Sequence, residues 1–280
     1  MTHDLKTGKF KSRDGTQLHY EHWTPPDFKA TLVFVHGMGE HCGRYRSFVR
    51  YFNQKGYRVW LYDQRGHGRS EGKRVFVRRF ETLMEDLSDY LDFSRNSIPP
   101  SPLFLAGHSF GGQVLLNFLA EYPGRFQAAC AASPNLEIAL TMPKWQERLG
   151  RMVLPVWPQM KLKNLTDPSK LSHDPRVFAE YKNDPLISDY VTLGIGKVLL
   201  ENLGSIFEKA RRIQTPLLML HGLEDVYCSP KGTERFYNQL QLEEKRLKLY
   251  EGKYHELLNE TGKEEIYAEM EQWFDRFMPA

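Results

Sequence analysis

A serine placed between two glycines is the first feature of this sequence that could do chemistry. Residues 103–113 read LFLAGHSFGGQ, so Ser109 lies between Gly107 and Gly111. The apolar residues before the serine predict a buried strand, and apolar residues at helical spacing after it predict a helix. Such an abrupt turn lifts the central side chain clear of the sheet, and only glycine avoids a collision two residues to either side. We therefore predict that Ser109 is a nucleophile, with a glycine-rich packing turn as the plainer alternative.

A histidine and an acid should accompany this serine, because its hydroxyl is a poor nucleophile until a neighbouring base takes its proton. In sheets of this type the chain order is serine, acid, histidine. The histidines that follow Ser109 are His173, His221 and His255. His173 lies in an irregular insertion, and His221 comes before the candidate acid. We therefore predict that His255, in the loop after the last predicted strand, is the base.

The acid should lie between the serine and the histidine. Asp225 occupies a turn after an apolar strand, in the sequence HGLED, whereas the other aspartates of this interval fall in the irregular insertion. We predict Asp225 as the acid and keep Glu224, its neighbour, as the alternative. Asp63 precedes the serine, so we interpret it as a cap of its own turn.

Two backbone N–H groups should hold the negative charge that develops on the substrate oxygen. Phe110 follows the serine at the start of the predicted helix, where its N–H is free to donate. The second donor comes from a loop after an earlier strand, and residues 36–39, His-Gly-Met-Gly, occupy that place. Gly37 lets the backbone approach closely, and we predict the N–H of Met38 as the donor.

Other polar side chains near these motifs have simpler interpretations. His36, His67 and His108 flank glycines at strand ends, where a hydrogen bond that braces a loop is the expected role. Cys228 lies three residues after the predicted acid and is interpreted as a bystander thiol near the site.

The elements that must position these side chains alternate between strand and helix along the chain. Apolar runs predict strands at 18–23, 31–35, 58–62, 103–106, 128–132, 217–220 and 246–250. Helical patterns cover 45–52, 81–93, the segment after the serine, a segment from about 229, and 263–277. Such alternation predicts an α/β fold with a mostly parallel sheet covered by helices on both faces. Ligands bind such sheets beyond the carboxyl ends of the strands.

The segment from 134 to about 208 breaks this alternation. It is rich in proline and has helical stretches but no clear strand. Because it follows the strand after Ser109 directly, it should sit above the serine as a lid. We predict a core formed by 1–133 and 209–280 and a cap formed by 134–208.

Length and composition favour one globular unit without a membrane span. The chain has 280 residues, of which 41% are hydrophobic and 26% charged. A chain of this length buries roughly three quarters of its unfolded surface, so its core needs no staples. The mean hydropathy is -0.54, and the absence of a long apolar run argues against a spanning helix. The amino terminus lacks the apolar core of a signal peptide.

The cysteines indicate the compartment in which the protein works, and the net charge limits the classes of partner. Cys42, Cys130 and Cys228 lie far apart, which predicts free thiols in a reducing compartment and gives no zinc pattern. The net charge of +3 is too slight to indicate nucleic acid. We expect a cytoplasmic protein with no metal and no cofactor.

Five separated motifs resemble a known family. They are HGMGEHCGRY at 36–45, YDQRGHGRSEG at 62–72, DPL at 184–186, HGLED at 221–225 and YEGKYHELLNE at 250–260. Together with the serine turn they look like the monoacylglycerol lipase and lysophospholipase branch of the α/β-hydrolases. The likeness runs from about Gly15 to Phe277.

The resemblance implies an α/β-hydrolase fold with an eight-stranded, mostly parallel sheet and a helical cap. By this likeness Ser109, Asp225 and His255 take the catalytic places, and Met38 and Phe110 take the oxyanion places. It also implies a serine esterase that cleaves a monoacylglycerol or a lysophospholipid through an acyl-enzyme.

The resemblance extends to polar positions near the alcohol end of the pocket. Glu40 and Arg44 match such positions, and Tyr181 of the cap joins them as a substrate-binding candidate. The alternative for Glu40 and Arg44 is an ordinary salt bridge that holds the loop to its helix. Leu258 departs from the polar histidine that some members have three residues after the catalytic one.

The cap sequence suggests what it covers. Apolar residues at helical spacing include Trp145, Leu149 and Val153, and a cap of this kind suits an acyl chain better than a peptide. Basic residues surround Trp157, namely Lys144, Arg148, Arg151, Lys161 and Lys163. We hypothesise peripheral contact with an anionic lipid surface, with a solvated charged face as the alternative.

A serine aminopeptidase of the same fold is the alternative function. It would need acidic groups in the cap to hold the substrate amine, and Glu137 and Glu180 are available. A binding protein without turnover is a third interpretation, although such proteins usually lose the base or the acid. The sequence does not indicate an oligomeric state.

Overall fold

The computed structural model describes residues 5–97, 99–139 and 152–279. Ten strands lie in these ranges. They are β1 (Leu5–Lys11), β2 (Gln17–Trp23), β3 (Ala30–Val35), β4 (Tyr57–Tyr62), β5 (Leu103–His108), β6 (Ala128–Ala132), β7 (Lys161–Lys163), β8 (Tyr190–Thr192), β9 (Leu217–Gly222) and β10 (Lys245–Tyr250).

Eight of these strands form one sheet in the order β1-β2-β4-β3-β5-β6-β9-β10. The six strands from β4 to β10 run parallel, and β1 and β2 complete one edge in antiparallel pairing. The predicted α/β architecture with an eight-stranded, mostly parallel sheet is confirmed. The central strands are fully buried because helices cover both faces.

Strand β1 was missed by the sequence analysis. Its sequence, LKTGKFK, is mostly polar and exposed, and only Phe10 is buried. Pairing with β2 along its whole length makes it a strand, so hydrogen bonding and not a hydrophobic pattern defines it.

Seven α-helices lie in the described ranges. They are α1 (Arg46–Gln54), α2 (Glu81–Ser97), α3 (Phe110–Glu121), α4 (Pro175–Asn183), α5 (Leu193–Lys209), α6 (Pro230–Gln239) and α7 (Lys263–Asp275). None of them combines the length and the apolar character that crossing a bilayer requires.

Alternate residues of the strands feed two hydrophobic cores. On one face Val33 and Val35 pack with apolar residues of α2, α3 and α6. On the other face Leu32 and Phe34 pack with residues of α1 and α7. Because successive side chains of a strand point to opposite faces of the sheet, each central strand contributes to both cores and is packed from both sides.

The predicted cap segment contains α4, α5 and the strands β7 and β8. These two strands pair antiparallel as a separate ribbon, so the expectation that the segment contains no strand was wrong. Each strand has three residues, and the exposed Lys161 and Lys163 leave β7 without an apolar signal. Helix α5 ends at Lys209, next to the predicted boundary, and the division into core and cap stays a prediction.

Part of the predicted cap helix lies outside the described residues. This holds for Trp145 and Leu149 and for the basic residues Lys144, Arg148 and Arg151. The chain that follows is described and presents Val156 and Trp157 to solvent.

Candidate active site

Ser109 lies in a tight turn between β5 and α3. Its backbone has φ +54° and ψ −118°, a strained conformation for a residue with a side chain. A Cβ at Gly111 would collide with the carbonyl oxygens of Val35 and His36, and one at Gly107 would lie 2.7 Å from the oxygen of Gly111. The two glycines therefore let the helix start directly against the sheet, with the serine at its amino end.

The structure brings Ser109, His255 and Asp225 into one hydrogen-bonded relay. His255 Nε2 lies 2.9 Å from Ser109 Oγ, and His255 Nδ1 lies 2.6 Å from Asp225 Oδ2. A carboxylate only accepts, so Nδ1 carries the proton and Nε2 is left to accept from the serine hydroxyl. The three residues come from the carboxyl ends of β5, β9 and β10, which lie side by side or nearly so in the sheet.

The charges of the relay suit proton transfer. Burial alone would raise the pKa of Asp225, but the imidazole of His255 and the hydrogen bond from His221 outweigh it and hold that pKa well below its usual value. Burial alone would lower the pKa of His255, but the Asp225 carboxylate raises it above its ordinary value. The acid therefore stays ionised, and the histidine is a stronger base than a free imidazole.

Asp225 is held from its own turn as well. Its Oδ1 accepts hydrogen bonds from the N–H of Tyr227 at 2.8 Å and from the N–H of Cys228 at 3.0 Å. Glu224 is exposed to solvent. Of the two acids that the sequence left open, Asp225 is thus the one that contacts the histidine.

His221 was missed by the sequence analysis, which set it aside as a base. Its Nε2 lies 3.0 Å from Asp225 Oδ2, and its Nδ1 lies 2.7 Å from the Thr233 hydroxyl. The signal that could have found it is the spacing of four residues to Asp225 across a tight turn. The ring contacts Asp225 and makes no hydrogen bond with Ser109.

Within the residues that the structure describes, the two predicted oxyanion donors have N–H groups without a partner in secondary structure. Phe110 is the first residue of α3, so its N–H has no partner within the helix. Among the described residues, the N–H of Met38 donates no hydrogen bond. A Cβ at Gly37 would lie 3.4 Å from that of Ser109, which shows how closely this loop approaches the serine.

The predicted substrate-binding residues Glu40 and Arg44 contact each other. Their charged groups form an ion pair, and the side chains are only 5% and 7% exposed. Tyr181 lies on α4, with its ring 5.3 Å from the Arg44 guanidinium carbon. Burial raises the pKa of Tyr181 to about 12, so its hydroxyl stays protonated.

The remaining strand-end histidines are buried and neutral. His36 Nε2 accepts from the N–H of Gln64 at 2.9 Å, and His67 Nδ1 lies 2.9 Å from the carbonyl oxygen of Arg65. Burial lowers the pKa of His67 to about 3 and that of His108 to about 4. Among the described residues His108 Nδ1 has no partner, so its expected bracing bond is not seen.

The cysteines, all within the described ranges, are buried and unpaired. Burial raises the pKa of the Cys228 thiol well above its usual value, so the thiol stays protonated beside the serine. A protonated, buried thiol is a poor nucleophile.

Two sets of three buried donors in the described part of the chain lie close enough to share an ion. Asp225, Cys228 and His255 form one set, and two of them are already engaged in the relay. The other set is His19, Glu21 and Cys42. Glu21 there pairs with two arginines, whose positive charge opposes a cation.

The two acids that an aminopeptidase would need lie in different surroundings. Glu137 forms an ion pair with Arg235 at 2.9 Å, and Glu180 is exposed on α4.

Comparisons with known proteins place this chain in a family. A family model described as "Serine aminopeptidase, S33" matches residues 26–262. The monoacylglycerol lipase of Mycolicibacterium smegmatis is 31% identical over 94% of this chain and 95% of that protein. The rat monoglyceride lipase is 34% identical over 88% of this chain and 82% of that protein. The chain belongs to the monoglyceride lipase-like α/β-hydrolases.

Two further matches describe the extent of this membership. The crystal structure of Paleococcus ferrophilus monoacylglycerol lipase superposes with a TM-score of 0.83 and 28% identity. The superposition covers 98% of the present chain and 99% of the Paleococcus chain. An uncharacterized abhydrolase domain-containing protein of Dictyostelium discoideum is 32% identical, and the match spans 28% of that longer protein. As a member of the monoglyceride lipase-like α/β-hydrolases, the present chain is an enzyme of the serine hydrolase class.

Proposed function

We propose that this hydrolase cleaves the ester of a monoacylglycerol through an acyl-enzyme. The observation that carries the proposal is the hydrogen-bonded relay from Ser109 through His255 to Asp225 in a chain of this family. The names of its relatives supply the substrate class. A lysophospholipid is the second acyl ester within the same proposal.

In the proposed mechanism Ser109 attacks the ester carbonyl while His255 takes the hydroxyl proton at Nε2. The Asp225 carboxylate holds the imidazole in this orientation and stabilises the imidazolium. The N–H groups of Met38 and Phe110 hold the oxyanion, and each such donor supports about a hundredfold or more in rate. His255 then protonates the departing glycerol oxygen, which leaves an acyl-serine and a neutral imidazole.

The second half of the mechanism repeats these roles with water. His255 takes a proton from a water molecule, which attacks the acyl-serine carbonyl. The oxyanion is held by the same two N–H groups, and collapse of the intermediate returns the proton to Ser109. The fatty acid leaves, and general acid-base catalysis by the histidine supplies about two to four decades of rate.

We propose residues 134–208 as the cap over this site. In the described part of this segment, the Ser188 N–H donates to the Gly39 carbonyl at 2.8 Å. The Leu171 carbonyl accepts from the Glu256 N–H at 2.8 Å. The segment thus contacts both the oxyanion loop and the histidine loop. The Tyr181 hydroxyl, on the same segment, is our candidate for contact with the glycerol group.

A substrate profile tests the proposed function. We expect hydrolysis of monoacylglycerols of graded chain length, and labelling of the wild-type protein by a fluorophosphonate at Ser109. The variant Ser109→Ala should lose both hydrolysis and labelling. Labelling of another residue in the variant, with hydrolysis retained, would refute the assignment.

A serine aminopeptidase is the second candidate, because the matching family model carries that description. The ion pair with Arg235 already engages Glu137, and Glu180 is exposed to solvent. Amino-acid p-nitroanilides compared with p-nitrophenyl esters separate the two. Release of nitroaniline faster than ester cleavage would favour the peptidase.

We also propose peripheral contact of the cap with an anionic lipid surface. Val156 and Trp157 are 87% and 60% exposed, and Lys161 and Lys163 lie just beyond them. Exposed apolar residues beside lysines suit a membrane interface. We further propose that the protein works in the cytoplasm, the reducing compartment that its free thiols lead us to expect.

Vesicle sedimentation tests the lipid contact. We expect the wild-type protein to pellet with phosphatidylcholine vesicles that contain phosphatidylglycerol, and Trp157→Ser to remain largely in the supernatant. Leu5→Ser, at the remote edge of the sheet, serves as the control. Equal recovery of the wild-type protein in the supernatant with and without phosphatidylglycerol in the vesicles would dismiss the contact.

A further inference from the structure

A buried arginine joins the two loops that carry the proposed machinery. Arg44 donates from Nη1 to Glu256 Oε1 and from Nη2 to Glu256 Oε2, each at 2.8 Å. Its Nη1 also donates to Glu40 Oε2. One guanidinium therefore bridges a carboxylate of the oxyanion loop and a carboxylate of the histidine loop, which are about two hundred residues apart in the sequence.

At one end the bridge reaches the oxyanion loop. Glu40 Oε1 accepts from the Gly37 N–H and from the Tyr45 hydroxyl, each at 2.5 Å. The other side of Gly37 is held by His36, whose Nδ1 lies 2.7 Å from the Gly37 carbonyl oxygen. That carbonyl and the Met38 N–H belong to one planar trans peptide, so they point in opposite directions. Holding Gly37 therefore aims the predicted oxyanion donor.

At the other end the bridge reaches the base. Glu256 follows His255 directly in the chain, and its Oε2 also accepts from the Asn259 amide at 3.0 Å. Its own N–H donates to the Leu171 carbonyl at 2.8 Å. The fork on Glu256 thus restrains the residue that carries the imidazole.

The bridge is buried and charge-paired. The side chains of Arg44, Glu40 and Glu256 are 7%, 5% and 4% exposed. Burial disfavours the charge on Arg44, but the two glutamates outweigh it, so its pKa is raised well above the usual value. The guanidinium has already committed donors to both carboxylates and lies against the Tyr181 ring. This arrangement commits three of the five N–H groups of the guanidinium to protein carboxylates.

We propose that Arg44 is a positioning residue that keeps the oxyanion loop and the histidine loop in register, and not a ligand of the substrate glycerol. The proposal rests on the proposed ester hydrolysis. Its effect is on the chemical steps, because a displacement of about 1 Å at such a site costs on the order of a hundredfold in rate. Lysine cannot replace the arginine, since an ammonium does not form the bidentate fork.

Two esters of the same acid separate positioning from glycerol binding. Monolauroylglycerol and p-nitrophenyl laurate form the same acyl-enzyme, and hydrolysis of that intermediate involves no glycerol. For Arg44→Met and Arg44→Lys we expect kcat to fall by about 10- to 100-fold with both esters, with KM nearly unchanged. Arg58→Met is the control, because Arg58 is a buried arginine that lies at the amino end of β4, away from the site. Its kcat should stay within about twofold of the wild type.

The outcomes are distinct. A rise in KM for the glyceride, with wild-type kcat on the p-nitrophenyl ester, would overturn the proposal in favour of substrate binding. An equal loss of kcat in Arg58→Met, or wild-type kcat in both Arg44 variants, would overturn it as well. Rates are normalised to the number of serines that a fluorophosphonate labels, so kcat can be measured even if part of the Arg44→Met protein is unfolded. Arg44→Lys supplies a second variant. A wild-type protein inactive on both esters would instead refute the proposed function.

Discussion

At the scale of the residue, Asp225 is the most heavily constrained group of the site. Its two oxygens accept from His255, His221 and the N–H groups of Tyr227 and Cys228. A buried carboxylate with four donors keeps its charge, because each donor favours the ionised form. That charge in turn raises the pKa of His255, so in the proposed mechanism Asp225 sets the pH range in which His255 acts as the base.

A pH profile checks this dependence. His255 must be neutral to accept the serine proton, so kcat/KM should fall as the pH drops through its raised pKa, above the usual value of about 6.5. In Asp225→Asn the anion is gone and burial lowers the pKa, so the acid limb should move to lower pH. The rate at neutral pH should fall by about a thousandfold or more, by analogy with other serine hydrolases. An acid limb that stays in place would contradict the assigned role.

At the scale of the element, the junction of β5 and α3 allows no extra atom. Gly111 packs against the carbonyl oxygens that end β3, so the helix can begin only there. The strained backbone of Ser109 is the consequence of that contact. By contrast, Gly204 on the exposed side of α5 has nothing within 4 Å of the Cβ position.

The same substitution at these two glycines should have opposite effects. Gly111→Ala should displace α3 from the sheet, with loss of activity and a clear loss of thermal stability. Gly204→Ala should raise the free energy of unfolding by about 0.5–1 kcal/mol, because alanine is the better helix former. Activity assays and denaturant unfolding of the two variants check this. Near wild-type kcat in a folded Gly111→Ala protein would show that the turn tolerates a side chain.

At the scale of the whole molecule, many buried groups are held in the protonation state that neutral pH favours. Burial holds His67 and His108 neutral, with pKa values of about 3 and about 4. Burial alone would raise the pKa of Glu40, but Arg44 and the neighbouring histidines lower it to about 2. As the pH falls, all three groups bind protons at a lower pH in the folded state than in the unfolded chain.

Acid should therefore destabilise the protein in two stages. Unfolded histidines bind protons near pH 6.5 and unfolded glutamates near pH 4.3, so the free energy of unfolding should fall below about 6.5 and more steeply below about 4. The pKa of His255 is raised in the folded state, so protonation of this one histidine stabilises the fold and partly offsets the first stage. Thermal melting between pH 7.5 and about 3 measures the trend. A melting temperature that is constant down to pH 4 would show that the buried histidines carry no such linkage.

The sequence by itself determined the alternation of strands and helices, the serine turn and the chain order of the candidate site. These features are local: a buried strand needs an apolar run, and a turn against a sheet needs glycine beside Ser109. Tertiary structure alone decided that His221 supports Asp225, that Arg44 holds Glu256, and that the polar segments of β1 and β7 become strands. Each of those outcomes depends on hydrogen bonds between groups that only folding brings together, and such bonds leave no periodic pattern in the chain.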